Sequence, residues 1–573
     1  MLTPERIQRA YETARTALLA ERRGACWRGE LSSSALSTAV AASALAQADD
    51  PTDPRIEAGL RWLARHQNDD GGWGDTTLSV SNISTTMLCR AAFYLTGRVS
   101  LFTRVMDRCE AWLRLRHGRT PAELAEAVRA RYGNDRTFSV PILMTSALAR
   151  LMPWHEVPTL PFELACFPQS WYRFLQLPVV SYALPALIAI GQAVQHHRGS
   201  WAIWRPLAIR PSLRVLERIQ PSNGGFLEAT PLTAFVSLAL ASTGRSNHPV
   251  VRKGLAFLRA SQRDDGAWPI DTDLATWVTT LATNALAAGD DLGRLDDLAG
   301  LGRFLLDQQY RERHPYTGAD PGAWAWTNLP GAVPDADDTP GALLALHHLA
   351  RQGVAVPREA IAAGIGWLLD LQNRDGGWPT FCRGWGLLPF DRSGSDLTAH
   401  ALRALQAHAG IDPRSERAIA RGLDYLAREQ RGDGSWLPLW FGNQHAPDDI
   451  NPTYGTSRVL AGMRDLQRLD TEPARRAIAW LVTNQNDDGG WGGLRGTPSS
   501  IEETALALEP LLATDEHAAC ERGLAWLIAS VEAGRVGQVS PIGFYFAKLW
   551  YHERLYPLVY TVAALGRAVR RTG

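Results

Sequence analysis

Three carboxylates stand within four residues near the middle of the chain. The segment PGAWAWTNLPGAVPDADDTPGALLAL places Asp335, Asp337 and Asp338 directly before a predicted helix start. One aspartate is enough to cap a helix, an interaction worth about 1 kcal/mol. Three packed carboxylates repel one another, and burial raises the pKa of at least one until it keeps a proton at neutral pH. The cluster is therefore a candidate general acid, although spacing alone leaves magnesium binding open, because clustered carboxylates also attract this ion.

A tryptophan repeat indicates which elements position these acids. The chain contains 21 tryptophans, and six of them follow a glycine-rich turn, as in GIGWLLDLQNRDGGW and GLDYLAREQRGDGSW. These six are Trp73, Trp268, Trp324, Trp378, Trp436 and Trp491. From Trp268 onwards the intervals are 56, 54, 58 and 55 residues, which is the length of a repeated helical hairpin.

Each repeat predicts a helix that ends near a glutamine, a glycine-rich turn, and a tryptophan at the start of the next helix. We expect these tryptophans to be structural staples, with the indole stacked on a neighbouring glutamine amide. Acidic pairs such as Asp487 and Asp488 lack the alternating ligands of a calcium loop and are expected to be solvated turns.

The repeat is degenerate between Trp73 and Trp268, where one weak copy, QPSNGGF, ends at Phe226. This interruption indicates two arrays of helical hairpins. Arrays that curl into closed rings would form two α/α-barrels, whereas periodicity alone also allows an open solenoid.

Composition excludes several classes of function. The 573 residues contain 59 basic and 59 acidic side chains, so no net positive charge favours nucleic acid or a polybasic membrane anchor. The six cysteines lie far apart without a C-x-x-C pair, which argues against a disulfide framework or structural zinc. The N-terminus has no apolar segment of signal-peptide type, and the longest apolar run, Val179 to Ile190, is too short to span a membrane. A cytoplasmic location is expected.

The D-x-D-D-T string and the Q…G-x-W repeats resemble those of the squalene–hopene cyclase family of class II terpene cyclases. Further matching segments are WRGELSSSALSTA from Trp27, PWHEVPTLPFEL from Pro153 and FYFAKLWYHERLYPLVYTVAALGR from Phe544. The resemblance implies an all-α fold of two α/α-barrels. Residues 1–31 and 273–573 would form the catalytic barrel, and residues 32–272 would form an inserted second barrel.

The resemblance also assigns roles to the acids. Asp337, the middle acid, would protonate a terminal carbon–carbon double bond, while Asp335 and Asp338 would hold compensating negative charge. The phrase SDLTAH supplies Asp396 and His400, and the histidine would hydrogen-bond the donor and raise its acidity.

Two further groups follow from the resemblance. Tyr454, in NPTYGT, would organise water for reprotonation of the acid. Protonating an alkene creates a carbocation, which requires a dry cavity lined with aromatic faces, each cation–π contact being worth up to ~2 kcal/mol. Five aromatic residues match lining positions of the family, and core packing would explain each of them equally well: Trp326, Phe381, Trp277, Trp440 and Phe544.

The sequence departs from the family at four places. The chain is shorter after the segment Leu177 to Ile188, which weakens the case for membrane contact, and Pro178 replaces a lining tryptophan. Lys548 falls about where the family has a tyrosine that closes the cavity floor. An amine at that place would quench a carbocation. The loop between Trp440 and Tyr454 is longer than expected.

The expected function is protonation-initiated cyclisation of a linear isoprenoid, with squalene or a related C30 polyprene as the leading substrate. One alternative is a class II cyclase of a prenyl diphosphate or meroterpenoid, which needs a basic patch at the cavity mouth. The sequence shows no evident cluster of Lys and Arg for it, although scattered arginines such as Arg383 and Arg392 could converge. Another is a non-catalytic helical-barrel prenyl-binding protein. No metal or redox cofactor is expected, because the acid supplies the proton and the substrate's double bonds supply the nucleophiles. A homodimer and peripheral contact with the inner face of the membrane remain open.

Overall fold

The computed structural model describes most of the chain, and the helices start where the sequence places capping residues. The described residues are 2–133, 135–175, 183–199, 204–384, 386, 388–544 and 548–572. Pro178 and its neighbours 176–182 lie outside them. Within this part of the chain, no helix combines the length and apolarity needed to cross a bilayer.

The helices of the N-terminal part follow one another through short loops. In chain order they are α1 (Pro4–Ala20), α2 (Ala35–Ala48), α3 (Pro54–Arg65), α4 (Ile83–Leu95), α5 (Thr103–Arg116), α6 (Pro121–Tyr132), α7 (Arg136–Leu148), α8 (Gln169–Phe174), α9 (Leu184–Arg198), α10 (Arg205–Ile219), α11 (Thr230–Ala241) and α12 (Pro249–Ser261).

The C-terminal part repeats the same alternation of helix and turn. Its helices are α13 (Ala275–Ala288), α14 (Leu298–Asp307), α15 (Asp338–Arg351), α16 (Arg358–Leu371), α17 (Ser395–Ala407), α18 (Arg414–Glu429), α19 (Pro452–Asp465), α20 (Glu472–Thr483), α21 (Ile501–Leu511), α22 (His517–Glu532) and α23 (Tyr556–Thr572).

The few strands are short antiparallel pairs. They are β1 (Arg22–Arg23) with β2 (Cys26–Trp27), β3 (Ser33–Ser34) with β4 (Trp268–Pro269), and β5 (Ile542–Phe544) with β6 (Leu549–Tyr551). Short 3₁₀ helices span Val99–Phe102, Trp154–Glu156, Phe162–Cys166, Phe226–Glu228, Leu292–Arg294 and Pro447–Asp449.

The helices form two closed rings. In the first ring, α2, α4, α7, α9 and α11 pack side by side in that order, and α11 packs back against α2. In the second ring, α13, α15, α17, α19, α21 and α23 do the same, and α23 closes against α13. The intervening helices form an outer layer, in which α1 packs on α23. This confirms the predicted all-α fold of two α/α-barrels, and the closing contacts exclude an open solenoid.

The inserted barrel, which is the first of the two rings, begins and ends at a strand pair. Ser33 and Ser34 pair with Pro269 and Trp268, so the chain leaves and re-enters the catalytic ring at neighbouring points. This pairing supports the predicted boundaries at residues 31 and 273, which stay predictions.

The repeat tryptophans join the layers by hydrogen bonds. In the repeat around Trp436, the indole N–H donates to the carbonyl of Leu426 (2.8 Å), and the backbone N–H donates to Thr456 Oγ1 (3.0 Å). The amide of Gln430 donates to the carbonyls of Gly434 and Pro473, both at 2.8 Å. The glutamine therefore acts through backbone carbonyls of its own turn and the next outer helix, a different contact from the predicted stacking on the indole.

The turn itself requires glycine. Gly434 has a φ of +94°, a conformation that residues with a Cβ rarely adopt. A Cβ at this position would lie 2.9 Å from the carbonyl oxygen of Arg476 on the next outer helix. Close approach and positive φ together explain why the G-x-W phrase recurs.

Two relatives of the repeat complete the pattern. The weak copy is structurally intact, since the Gln220 amide donates to Gly224 and Val250 and the Phe226 N–H donates to Thr233 Oγ1. Trp27 makes the two tryptophan contacts without the full motif, since its indole N–H donates to the carbonyl of Leu18 and its backbone N–H donates to Thr279 Oγ1. The phrase GACW ahead of Trp27 was the sequence signal for this additional staple.

Trp436→Phe should lower the free energy of unfolding by about 1–3 kcal/mol, because the buried Leu426 carbonyl loses its donor while most of the apolar contact is kept. Thermal unfolding measures the effect as a lower midpoint. Trp204→Phe is the control, since Trp204 is 59% exposed and should leave the midpoint unchanged. Equal midpoints for both variants would contradict the role of the indole bond.

Candidate active site

The acid triplet lies at the N-terminal end of α15, an inner helix of the catalytic ring. Asp335 Oδ1 accepts the backbone N–H groups of Asp337 (2.8 Å) and Asp338 (2.7 Å). Asp335 is therefore the residue that satisfies the first turn, as one carboxylate can. The other two carboxylates are left for other contacts.

Burial acts on the two flanking acids of the triplet. Asp335 and Asp338 are both buried, and burial raises the pKa of each carboxyl group above its ordinary range. Their mutual repulsion raises the pKa of Asp338 further. Both shifts favour a carboxyl group that keeps its proton, and the expectation that both flanking acids hold negative charge stays a prediction. The physical reason for the shifts is that two adjacent carboxylates removed from water repel each other when both are charged.

Asp337 is the most open of the three acids and pairs with a histidine from the next inner helix. Its side chain is 21% exposed, and its Oδ1 lies 2.8 Å from Nδ1 of His400. Burial lowers the pKa of His400 to about 4, so the imidazole is neutral at pH 7. When its hydrogen is on Nδ1, the ring donates to Oδ1 of Asp337. Oδ2 then stays free to carry the acidic hydrogen of the carboxyl group.

The other two predicted polar residues flank this pair. Asp396, at the start of α17, is buried and accepts the backbone N–H of Leu439 at 3.0 Å, which fixes the segment leading to Trp440. Tyr454 is 2% exposed and packs against Phe441 with ring centroids 4.6 Å apart. Burial raises the pKa of Tyr454, and the nearby carboxylates of Asp337 and Asp396 raise it as well.

Four predicted or newly found aromatic residues form a continuous row. Phe381 meets Trp440 edge to face at 5.9 Å, Trp440 meets Phe544 at 4.7 Å, and Phe544 meets Tyr551 at 5.3 Å. The indole N–H of Trp440 donates to Thr380 Oγ1 at 2.7 Å, which holds the ring in place. Tyr551 was not singled out in the sequence, although it lies within the C-terminal segment that carries the resemblance.

The remaining two predicted aromatics are also held by hydrogen bonds. Trp277 is buried, stands edge-on to His400 with ring centroids 6.4 Å apart, and donates its indole N–H to the hydroxyl of Tyr556. Trp326 is half-buried and donates its indole N–H to Asp271 Oδ2 at 2.7 Å. Sequence reasoning missed Asp271, because its phrase PIDTD carries no distinctive spacing.

Two of the departures from the family pattern, Lys548 and the lengthened loop, contact each other. Lys548 Nζ lies 2.6 Å from Asp449 Oδ2, in the lengthened loop between Trp440 and Tyr454. The same loop is tied to α21, where Glu503 Oε1 accepts the amides of Asn443 (2.9 Å) and Asn451 (3.1 Å). The ammonium of Lys548 is therefore neutralised by the loop carboxylate.

Among the described residues, no group of three or more His, Cys, Asp or Glu side chains is arranged to hold a metal ion. The oxygen of Asp335 that faces α15 is occupied by two backbone N–H groups.

Comparison with known proteins agrees with these motifs. The squalene–hopene cyclase C-terminal domain family matches residues 274–570, and the N-terminal domain family matches residues 11–188. Enfumafungin synthase of Hormonema carpetanum is 26% identical over 87% of this chain, which spans 43% of that protein. A squalene–hopene cyclase of Bradyrhizobium diazoefficiens is 26% identical over 84% of this chain and 82% of its own.

A solved structure extends the comparison to the whole fold. The ent-copalyl diphosphate synthase of Streptomyces platensis superimposes with a TM-score of 0.59 and 19% identity, covering 99% of this chain and 100% of that one. At this identity the likeness concerns the fold alone. The two family matches together take in most of both helical rings, and the chain belongs to the squalene–hopene cyclase family of class II terpene cyclases.

Proposed function

We propose that this protein cyclises a linear isoprenoid by protonating it, with squalene or a related C30 polyprene as substrate. The observation that carries the proposal is the 2.8 Å contact between Asp337 Oδ1 and His400 Nδ1. It pairs the most open acid of the triplet with a neutral donor. Such a pair can give up a proton from Oδ2 and hold the resulting carboxylate.

The first step breaks the O–H bond of Asp337 and forms a C–H bond at the less substituted carbon of a terminal double bond. The π electrons of the alkene make the new bond, and the positive charge remains on the tertiary carbon. The electron pair of the O–H bond stays on Asp337, whose carboxylate accepts the Nδ1–H of His400. Each following double bond then attacks the cation, and the last cation loses a proton or takes up water.

The aromatic row would stabilise the migrating charge. The rings of Phe381, Trp440 and Phe544 are half-buried and follow one another along the row. An aromatic face attracts a cation by up to ~2 kcal/mol when water is excluded. No side chain in the row carries a lone pair basic enough to capture the cation.

A second substrate class, a prenyl diphosphate, is favoured by one observation. The Phe381 N–H donates to the Phe390 carbonyl at 3.3 Å, which joins the two ends of a loop that contains Arg383 and is followed two residues later by Arg392. Both arginines thus lie close in sequence to one end of the aromatic row. Their charge would suit a diphosphate group held at that end.

Product analysis separates the two. The purified protein is incubated with squalene, oxidosqualene or geranylgeranyl diphosphate, with and without EDTA, and products are identified by mass spectrometry. Cyclised C30 products that form equally with and without EDTA support the proposal. If geranylgeranyl diphosphate is the only substrate converted, the protein is a prenyl diphosphate cyclase. The absence of any cyclised product contradicts both substrate classes.

We also propose peripheral contact with a lipid surface. Phe167, Trp171 and Phe174 are 50%, 58% and 87% exposed, and Leu207 on α10 is 78% exposed. The two segments adjoin, because Cys166 Sγ lies 3.6 Å from the carbonyl of Ala208. An exposed apolar patch of this kind on a surface helix favours the acyl boundary of a membrane.

Phe174→Ser combined with Leu207→Ser should weaken binding to phospholipid vesicles about tenfold or more, since each side chain loses roughly 1.5–3 kcal/mol of burial. Vesicle sedimentation measures the bound fraction. Leu115→Ser is the control, because Leu115 is 82% exposed but lies on α5, away from the patch. A wild-type protein that stays in the supernatant contradicts the proposal.

A further inference from the structure

A polar cavity lies inside the catalytic ring, on the far side of His400 from the acid triplet. It has a volume of about 490 Å³ and is lined by all six inner helices. The last residues of α13, α15, α17 and α19 line it, so the cavity occupies the C-terminal end of the ring. His400 and Arg458 are buried, while Arg351 and Arg570 are exposed, so the cavity runs from His400 to a solvent-exposed mouth.

The cavity is strongly cationic. Among the described residues that line it, five arginines face two carboxylates, an excess of three positive charges. The lining histidines add none, because burial lowers the pKa of His347, and lowers those of His348 and His400 to about 4. The arginines are Arg351, Arg403, Arg458, Arg567 and Arg570, and the carboxylates are Asp465 and Glu509.

Two of these arginines are paired with carboxylates, and a third uses one N–H group at a helix end. Arg403 pairs with Asp465 at 2.6 Å, and Arg567 pairs with Glu509 at 3.2 Å. Arg570 donates to the carbonyl of Ala288 at the end of α13, which is the role expected of a cation at a helix C-terminus.

Arg458 has no such explanation. It is 8% exposed and lines the cavity next to Tyr560, yet it has no hydrogen-bond or ion-pair partner among the described residues. It lies in the middle of α19, two turns before Asp465, so it does not cap the helix end. The carboxylates of Asp337 and Glu509 act on its charge from a distance but form no hydrogen bond or ion pair with it. A guanidinium cannot lose its proton at physiological pH, and a buried charge without a directly paired counter-ion is costly.

We propose that this cavity binds a phosphate-type oxyanion, with Arg458 as the inner ligand and Arg351 and Arg570 at the mouth. The planar fork of a guanidinium matches the oxygen atoms of phosphate, and the charge-assisted bonds are short and strong. The same chemistry is offered by inorganic phosphate, by diphosphate and by the head group of a prenyl diphosphate. A bound oxyanion would lie beside the His400 ring, on the side opposite Asp337.

Calorimetric titration of the full chain tests the site, with sodium phosphate, sodium diphosphate and geranylgeranyl diphosphate as separate probes. Saturable binding of one anion per chain is expected, and Arg458→Gln should weaken it about tenfold or more, since one charge-assisted bond is lost. Arg303→Gln, an exposed arginine on α14, is the matched control and should bind as the wild type does.

A second variant protects the test from misfolding at the buried position. Arg570→Gln changes an exposed residue at the mouth and should also weaken binding several-fold, while circular dichroism stays that of the wild type. Binding of all three probes identifies the phosphate group itself as the ligand, and binding of the prenyl diphosphate alone identifies a lipid-borne source. The site is overturned if no probe binds, or if both cavity variants bind as tightly as the Arg303 control. The result does not depend on which isoprenoid is cyclised.

Discussion

Asp337→Asn should abolish cyclisation, with a loss of at least ~10³-fold in turnover, because an amide cannot donate a proton to an alkene. The substitution keeps the size of the side chain and its hydrogen bond to His400, which lies 2.8 Å away. Product formation at saturating substrate, followed by mass spectrometry, measures the effect.

The control for this variant is Asp424→Asn, an exposed aspartate on α18 that should cyclise at the wild-type rate. Thermal unfolding should give the same midpoint for both variants. Turnover of Asp337→Asn within tenfold of the control would remove this residue from the role of proton donor. Loss of activity in both variants would point to an effect on folding.

His400→Phe should reduce turnover by about 10²–10³-fold, because the Asp337 carboxylate formed in the first step loses its hydrogen-bond donor. Phenylalanine fills the same buried space, so the ring contact with Trp277 is largely preserved. His400→Asn places an N–H near the position of Nδ1 and should recover part of the activity. A structural role for the ring alone would give the opposite order, with phenylalanine the better replacement.

The pH dependence provides a second readout of His400. Burial lowers its pKa to about 4, so the imidazole is neutral throughout pH 5–8 and becomes charged only below that range. The pH profiles of the wild type and of His400→Asn should therefore have the same shape near pH 6.5, because His400 does not titrate there. His408→Asn, a half-buried histidine just after α17, is the control and should leave the profile unchanged. An inflection near 6.5 assigned to His400 would contradict the neutral form.

The repeat allowed the hairpins of the fold to be predicted but not the contact that holds them. The spacing of Trp378, Trp436 and Trp491 gives the helix boundaries, because a glycine-rich turn and a buried indole are local requirements. The predicted stacking of indole on glutamine differs from the observed hydrogen bonds, in which Gln430 reaches the carbonyl of Pro473 on the next outer helix. That carbonyl belongs to another repeat, so its position depends on how successive hairpins pack.

The candidate site was predicted by motif resemblance more completely than by spacing. The resemblance identified Asp337 and His400 as partners, and the structure brings them into contact. The negative charge that it assigned to Asp335 and Asp338 stays a prediction, because the pKa of a carboxyl group depends on burial and on its neighbours, and both raise the pKa of Asp338. Asp271 and Arg458 were missed, since neither stands in a distinctive phrase.

Local features of this protein could be read from the order of its residues: the helical hairpins, the glycine turns and an acid triplet at a helix start. Each of these depends on residues within a few turns of one another. Three features required the folded chain: the hairpins close into rings, Asp337 contacts a histidine 63 residues away, and arginines from four inner helices line one cavity. Ring closure and burial arise from packing between distant segments, and burial in turn sets the charge on each buried group.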